Sequence, residues 1–234
     1  FCQRTIERYT TKPVLTVPHP IQLEMDKVLS RKLHDDVFRV LSIFNLGSSF
    51  ERKNPLAVIR AFRSAFGNDA GAELVLKTSQ GKRYPQDLAI IKHEIVQSAN
   101  IKVIDEIWTD EQLCELYRSS DAYVSLHRSE GFGLTIAEAI LMEVPVIATG
   151  WSGNVDFCSE DKLSVVPYDL IAFADNDPAY HGVSDALWAE PSVAAAASEL
   201  QKLRSDIGAS MARARVAKTE FLSYLGHHTY AAAL

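Results

Sequence analysis

The sequence predicts a doubly wound, parallel α/β sheet, and three observations carry that expectation. Short apolar runs alternate with helical patterns through residues 36–190. The runs are continuous instead of alternating polar and apolar, as strands covered on both faces require. Glycines and polar residues gather where the runs end, the place where open α/β sheets form a ligand crevice.

Residues 1–35 come first, with a short polar helix, the run Val14-Leu15-Thr16-Val17 and the bend Pro18-His19-Pro20. They read as the end of one domain and a crossover into the next. Residues 38–44 form a strand, after which Asn54 caps a helix with Pro55 in its first turn. Leu56, Ile59, Phe62 and Phe66 follow at helical spacing, and Gly67 closes the helix. Residues 73–77 give a second strand, 88–96 a helix and 101–104 a third strand. Thr109 and Gln112 match a capping box opening a helix through Leu113, Leu116 and Tyr117.

Residues 122–126 form a fourth strand, 133–142 a helix, 144–148 a fifth strand and 163–166 a sixth. Residues 171–187 read as an extended polar loop, and from Trp188 onward the chain reads as helical. Val193, Ala196, Ala197, Leu200 and Leu203 make one stripe, and residues 211–225 carry another. The expected division is a crossover at 1–35, a Rossmann-like ligand-binding domain at 36–190 and closing helices at 191–234.

Composition narrows the function. The 234 residues are 47% apolar and 23% charged, with a net charge of −6. That balance fits a soluble globular chain and argues against non-specific nucleic-acid binding. An anionic ligand would need a few local cations against the overall field. Cys2, Cys114 and Cys158 form no CxxC pair or Cys/His cluster, so neither a metal site nor a redox motif is expected. Reduced cytosolic thiols fit best. Phe1-Cys2-Gln3-Arg4 does not read as a signal or transit peptide. No run approaches the roughly 20 apolar residues of a membrane-spanning helix. There is no GxGxxG after a strand, no Walker lysine and no GxSxG elbow, which removes the main support for dehydrogenase, P-loop and serine-hydrolase readings.

Three strand-end clusters remain. The first runs from His127 through Arg128-Ser129-Glu130-Gly131-Phe132-Gly133-Leu134-Thr135 to Glu138. Gly131 and Gly133 allow a tight turn, and the first amides of the next helix, near Leu134 and Thr135, suit a phosphate. If both glutamates are near helical geometry, eight residues bring Glu130 and Glu138 to a similar face, where carboxylates accept sugar hydroxyls. Glu138 alone reads equally as a favourable charge near a helix start. The glycines and the position decide for a ligand. The second cluster, Ser48 to Pro55, offers Arg52 and Lys53 as cations for a diphosphate. Lys77 ends the second strand and reads either as a third such cation or as a solvated strand end. The third, Thr149-Gly150-Trp151-Ser152-Gly153-Asn154-Val155-Asp156-Phe157, reads either as a ligand loop or as a turn anchored by Trp151 and Phe157.

In this order the clusters resemble family 4 glycosyltransferases of the GT-B fold over residues 13–205. The matching elements are Arg52-Lys53-Asn54-Pro55, the run from Ser125 to Leu134, Glu138-Ala139, Pro145-Val146-Ile147-Ala148-Thr149 and Ser152-Gly153-Asn154. Trp188-Ala189-Glu190-Pro191 looks like the branch with mannosyl- and rhamnosyltransferases. The resemblance implies that Glu130 lies beside the donor hexose and Glu138 binds the ribose. Phe132, Gly133, Leu134 and Thr135 would offer amides to hexose and diphosphate, and Arg52 and Lys53 would hold the diphosphate. It implies metal-free transfer with retention and no cofactor beyond a nucleotide-sugar substrate, GDP-mannose first and a rhamnosyl donor second. The acceptor, a glycan or lipid-linked molecule, would meet an N-terminal domain of which this chain carries the last residues. The isolated chain is therefore expected to bind donor weakly and to transfer nothing. A cytoplasmic setting is expected, with peripheral contact at the inner face of the membrane left open. One departure is that many members have Gly-Arg after the first strand, whereas here Ser48 follows Gly47. Ser48, Lys77, His127, Ser152, Gly153 and Asn154 are further candidates. A GT-B epimerase or phosphorylase and a non-catalytic nucleotide-sugar-binding module are the alternatives.

Overall fold

The computed structural model describes residues 2–19, 21, 37–158, 163–173 and 186–227. Six parallel strands, β1 (Phe38–Ile43), β2 (Ala72–Thr78), β3 (Ile101–Asp105), β4 (Ala122–Ser125), β5 (Val146–Thr149) and β6 (Ser164–Val166), lie in the order β3-β2-β1-β4-β5-β6. The chain is thus wound outward in one direction from β1 and in the other from β4. The reversal between these two neighbours leaves a crevice beyond their carboxyl ends.

Alternate strand residues feed two separate cores, because successive side chains point to opposite faces. Val40, Leu74, Leu76 and Val124 pack with α3 (Pro55–Phe66), α4 (Pro85–Glu94) and α7 (Val193–Ser205). Leu41, Val75 and Tyr123 pack with α5 (Asp110–Arg118), α6 (Leu134–Leu141) and α8 (Ile207–His227). Two further α-helices are short, α1 (Cys2–Ile6) and α2 (Phe50–Lys53). The chain is a doubly wound α/β sheet with closing helices, as its pattern predicts. Among the described residues no helix is long and apolar enough to cross a membrane.

Several local expectations need correction. Residues 187–191 are not helical. Strand β8 (Leu187–Pro191) pairs antiparallel with β7 (Tyr168–Ala172), so the expected 171–187 loop begins and ends in a hairpin. Its cross-strand partners lie far apart in the chain, which a window of local periodicity does not register. Residues 174–185 of that loop, and residues 1, 20 and 22–35 of the expected crossover, fall outside the described residues. Asn54 stands at the start of α3 but makes no side-chain cap there. It is also the residue that closes α2, and that turn holds it at φ 52°, outside the extended backbone of an ordinary cap. α4 starts at Pro85, before the expected 88, with the proline at its first position. The capping box at Thr109 and Gln112 forms in both directions.

Candidate functional site

A cavity of about 650 Å³ opens beyond the carboxyl ends of the central strands. Its walls come from the segment after β1 (Asn45, Ser48, Lys53), the ends of β2 and β3 (Lys77, Glu106, Trp108), and the loop from Glu130 to Thr135. His19 reaches it from the N-terminal segment, and Cys2 of α1 donates to the carbonyl of Gly131 at 3.3 Å.

The loop after β4 is shaped from behind. Gly133 has φ 93°, a conformation that favours glycine, and its carbonyl receives the first intrahelical bond of α6, from Ala137. The amides of Leu134, Thr135 and Ile136 therefore precede the helical ladder, and Leu134 and Thr135 form part of the cavity wall. The 152–154 turn braces this loop. The Glu130 amide donates to Ser152 Oγ at 2.6 Å and the Gly153 amide to the Glu130 carbonyl at 2.9 Å. The approach is so close that a Cβ at Gly153 would lie 1.9 Å from the Gly131 carbonyl oxygen. His127 is fully buried and lines no part of the cavity. Its Nε2 faces two acceptors, the Trp151 carbonyl at 3.2 Å and Asn154 Oδ1 at 3.0 Å, while Nδ1 lies 3.0 Å from Ser125 Oγ. The proton thus belongs on Nε2, and burial, against the pull of Glu130, lowers the pKa. His127, Ser152, Gly153 and Asn154 act together as a brace for the Glu130 loop.

Glu130 carries the charge chemistry. Lys53 Nζ donates to its Oε1, and Arg52 Nη1 donates to its Oε2 at 3.2 Å. Burial opposes its charge, but Lys53, His127 and Arg52 prevail and hold the carboxyl below its ordinary value. Arg52 is otherwise spent on the backbone. Its Nε and Nη2 donate to the Ser48 carbonyl and its Nη1 to that of Ser129 at 2.9 Å. It ties the β1 and β4 segments together, whereas Lys53 stands in the wall.

Lys77 is 4% exposed, so it is not a solvated strand end. Its ammonium donates to the Thr78 carbonyl at 2.9 Å and to that of Glu106, and lies 5.1 Å from the Trp108 ring centre. Burial lowers its pKa against Glu106 and Asp105.

Glu138 is placed differently from Glu130. The chain from 130 to 133 is not helical, so the eight-residue phase that would align the two carboxylates does not apply. Glu138 lies one turn beyond Leu134, part-buried and outside the wall, and accepts a hydrogen bond from Tyr117 Oη at 2.8 Å. Burial raises its pKa. Tyr123 Oη meets Thr135 Oγ1 at 2.6 Å. Sequence reading missed Trp108 and these two tyrosines. Trp108 lies just past the end of β3, so the strand-end rule applied to that strand would have found it, whereas the tyrosines read as core because periodicity reports the ring and not the hydroxyl. Among the described residues no group of three or more His, Cys, Asp and Glu could hold a metal ion.

The sequence profile of the family described as "Glycosyl transferases group 1" matches residues 40–176. No significant match exists among curated proteins. Among solved structures, S. aureus TarM, as a variant in complex with Fondaparinux, alpha-GlcNAc-glycerol and UDP, has a TM-score of 0.66 at 12% identity, covering 94% of this chain and 38% of that one. HepE from Anabaena, in complex with UDP and glucose, has a TM-score of 0.58 at 14% identity, covering 80% of this chain and 44% of that one. The C-terminal domain of a glycosyl transferase group 1 family protein (LpcC) from Francisella tularensis has 0.56 at 17%, covering 89% of this chain and 94% of that domain. Identities this low carry the fold alone. The chain spans less than half the length of TarM and HepE.

Proposed function

The chain belongs to the glycosyl transferases group 1, and from that premise we propose that its cavity holds the nucleoside-diphosphate sugar of a hexosyltransferase. The observation that carries this reading is the meeting of Lys53, Lys77, Glu130 and the free amides of α6 around one cavity. Cations and a helix start suit a diphosphate, and they stabilise the charge that develops on it as the glycosidic bond breaks. Glu130 accepts hydrogen bonds from the hexose once Lys53 turns to the phosphates. Glu138, beyond the wall, receives the ribose hydroxyls. Arg52 fixes the distance between the two loops and answers for the diphosphate through Glu130.

The finer reading is a family 4 enzyme of the GT-B fold that transfers with retention, the acceptor attacking from the face the diphosphate leaves. UDP in the TarM and HepE structures supports a nucleoside diphosphate as the common element. GDP-mannose remains the first candidate for the donor and a glycan or lipid-linked molecule for the acceptor. Titration calorimetry with UDP-, GDP- and ADP-sugars, repeated on Glu138→Gln, tests the site. Affinity should fall about tenfold in the variant whichever sugar is attached. An unchanged affinity removes Glu138 from the site.

A further inference from the structure

We propose that Tyr117 is a positioning residue for the ribose, acting through Glu138. The inference deepens the reading of Glu138 given above and rests on it. Tyr117 sits on α5, which reaches under the first turn of α6, and its side chain is fully buried. Its hydroxyl lies 2.8 Å from Glu138 Oε2 and 3.1 Å from the Thr135 carbonyl. A phenol has one proton to donate, and the charged, nearer oxygen takes it. Among the described residues the other oxygen, Oε1, receives no protein donor. One carboxylate oxygen is thereby fixed and its twin is left to accept from a ligand.

The surroundings make the hydroxyl more than filler. A phenylalanine would fill the same space, and a buried hydroxyl is costly unless it is bonded. Glu138 faces Tyr117 and Asp110 from α5 and Tyr123 from β4. Burial and Asp110 both work against its charge, and the Tyr117 proton is the contact that favours it. Tyr117 in turn stands in the last turn of the helix that the capping box opens, with the Tyr123 ring 5.9 Å away between centres.

The test compares UDP and GDP with their 2′,3′-dideoxy counterparts by calorimetry on the wild-type chain, Tyr117→Phe, Tyr123→Phe and Glu138→Gln. The wild type should prefer the ribose forms. Tyr117→Phe should cut that preference about five- to tenfold while the dideoxy affinities stay unchanged. Tyr123→Phe, whose lost hydroxyl bonds Thr135, should keep the preference. If Tyr117→Phe weakens ribose and dideoxy forms equally, or neither, while Glu138→Gln abolishes the preference, the role of Tyr117 is overturned and that of Glu138 stands. If Glu138→Gln keeps the preference, the ribose reading fails and the inference falls with it.

Discussion

Glu130 is neutralised twice before any ligand arrives, by Lys53 and by Arg52. A bare nucleoside diphosphate must therefore compete with a carboxylate for the same ammonium. Glu130→Gln should free Lys53 and raise affinity for bare UDP or GDP roughly three- to tenfold, about 0.7–1.4 kcal/mol. The same change should erase the affinity added by the hexose. Calorimetry with and without the sugar reads both effects, and weaker diphosphate binding by the variant would contradict this account. The pH dependence has a definite sign. The folded-state pKa of Glu130 is lowered, because Lys53, His127 and Arg52 outweigh burial. Its ionised form thus adds stability above the ordinary glutamate range of about 4.3, and that stability is lost as pH falls through the lowered folded value. Thermal melts of Glu130→Gln between about pH 3 and 6 should show a flatter acid limb than the wild type. The residue types at the strand ends were legible in the sequence. Their division of labour was not, because whether Arg52 faces a ligand or two carbonyls depends on loop geometry that strand-end spacing leaves open.

At the scale of elements, the bracing of one loop by another is the most exposed to test. Gly153→Ala puts a methyl group against the Gly131 carbonyl, and the two loops must part. The cost should be about 1–3 kcal/mol of stability, with nucleotide affinity reduced at least about tenfold. A variant with wild-type melting temperature and affinity would show that the brace is dispensable. Thr109→Ala removes the reciprocal cap of α5 and should cost about 1 kcal/mol, a fall of roughly 2–4 °C in melting temperature. The six strands and their order along the chain were readable because buried parallel strands are continuous apolar runs of the right length. The β7–β8 hairpin was not. Leu170, Ile171 and Leu187 leave much of their surface exposed, so the segment lacks the pattern of a core strand. Asn54 misled for a related reason: one residue serves two helices, and composition shows only the second.

At the scale of the molecule, the described residues form a six-stranded sheet with two cores and a separate two-stranded ribbon, and α7 and α8 return from the far end to cover opposite faces of the larger sheet. The division proposed gives the nucleotide sugar to this chain and the acceptor to a further domain, and the chain spans less than half the length of TarM and HepE. Incubating the 234-residue protein with donor and candidate acceptors should yield no glycosylated product by mass spectrometry, while calorimetry still records binding. Detectable product would refute this division. The reversal in strand order has a kinetic consequence as well. Lys53 and Glu130 meet across 77 positions of sequence, and no local segment contains both sides of the cavity. Loop closure on that scale must precede the pairing of β1 with β4. A fluorescent nucleotide added during refolding should therefore stay dark through early helix formation and light up only as the last long-range strand contact closes, which makes the substrate a clock for the end of folding.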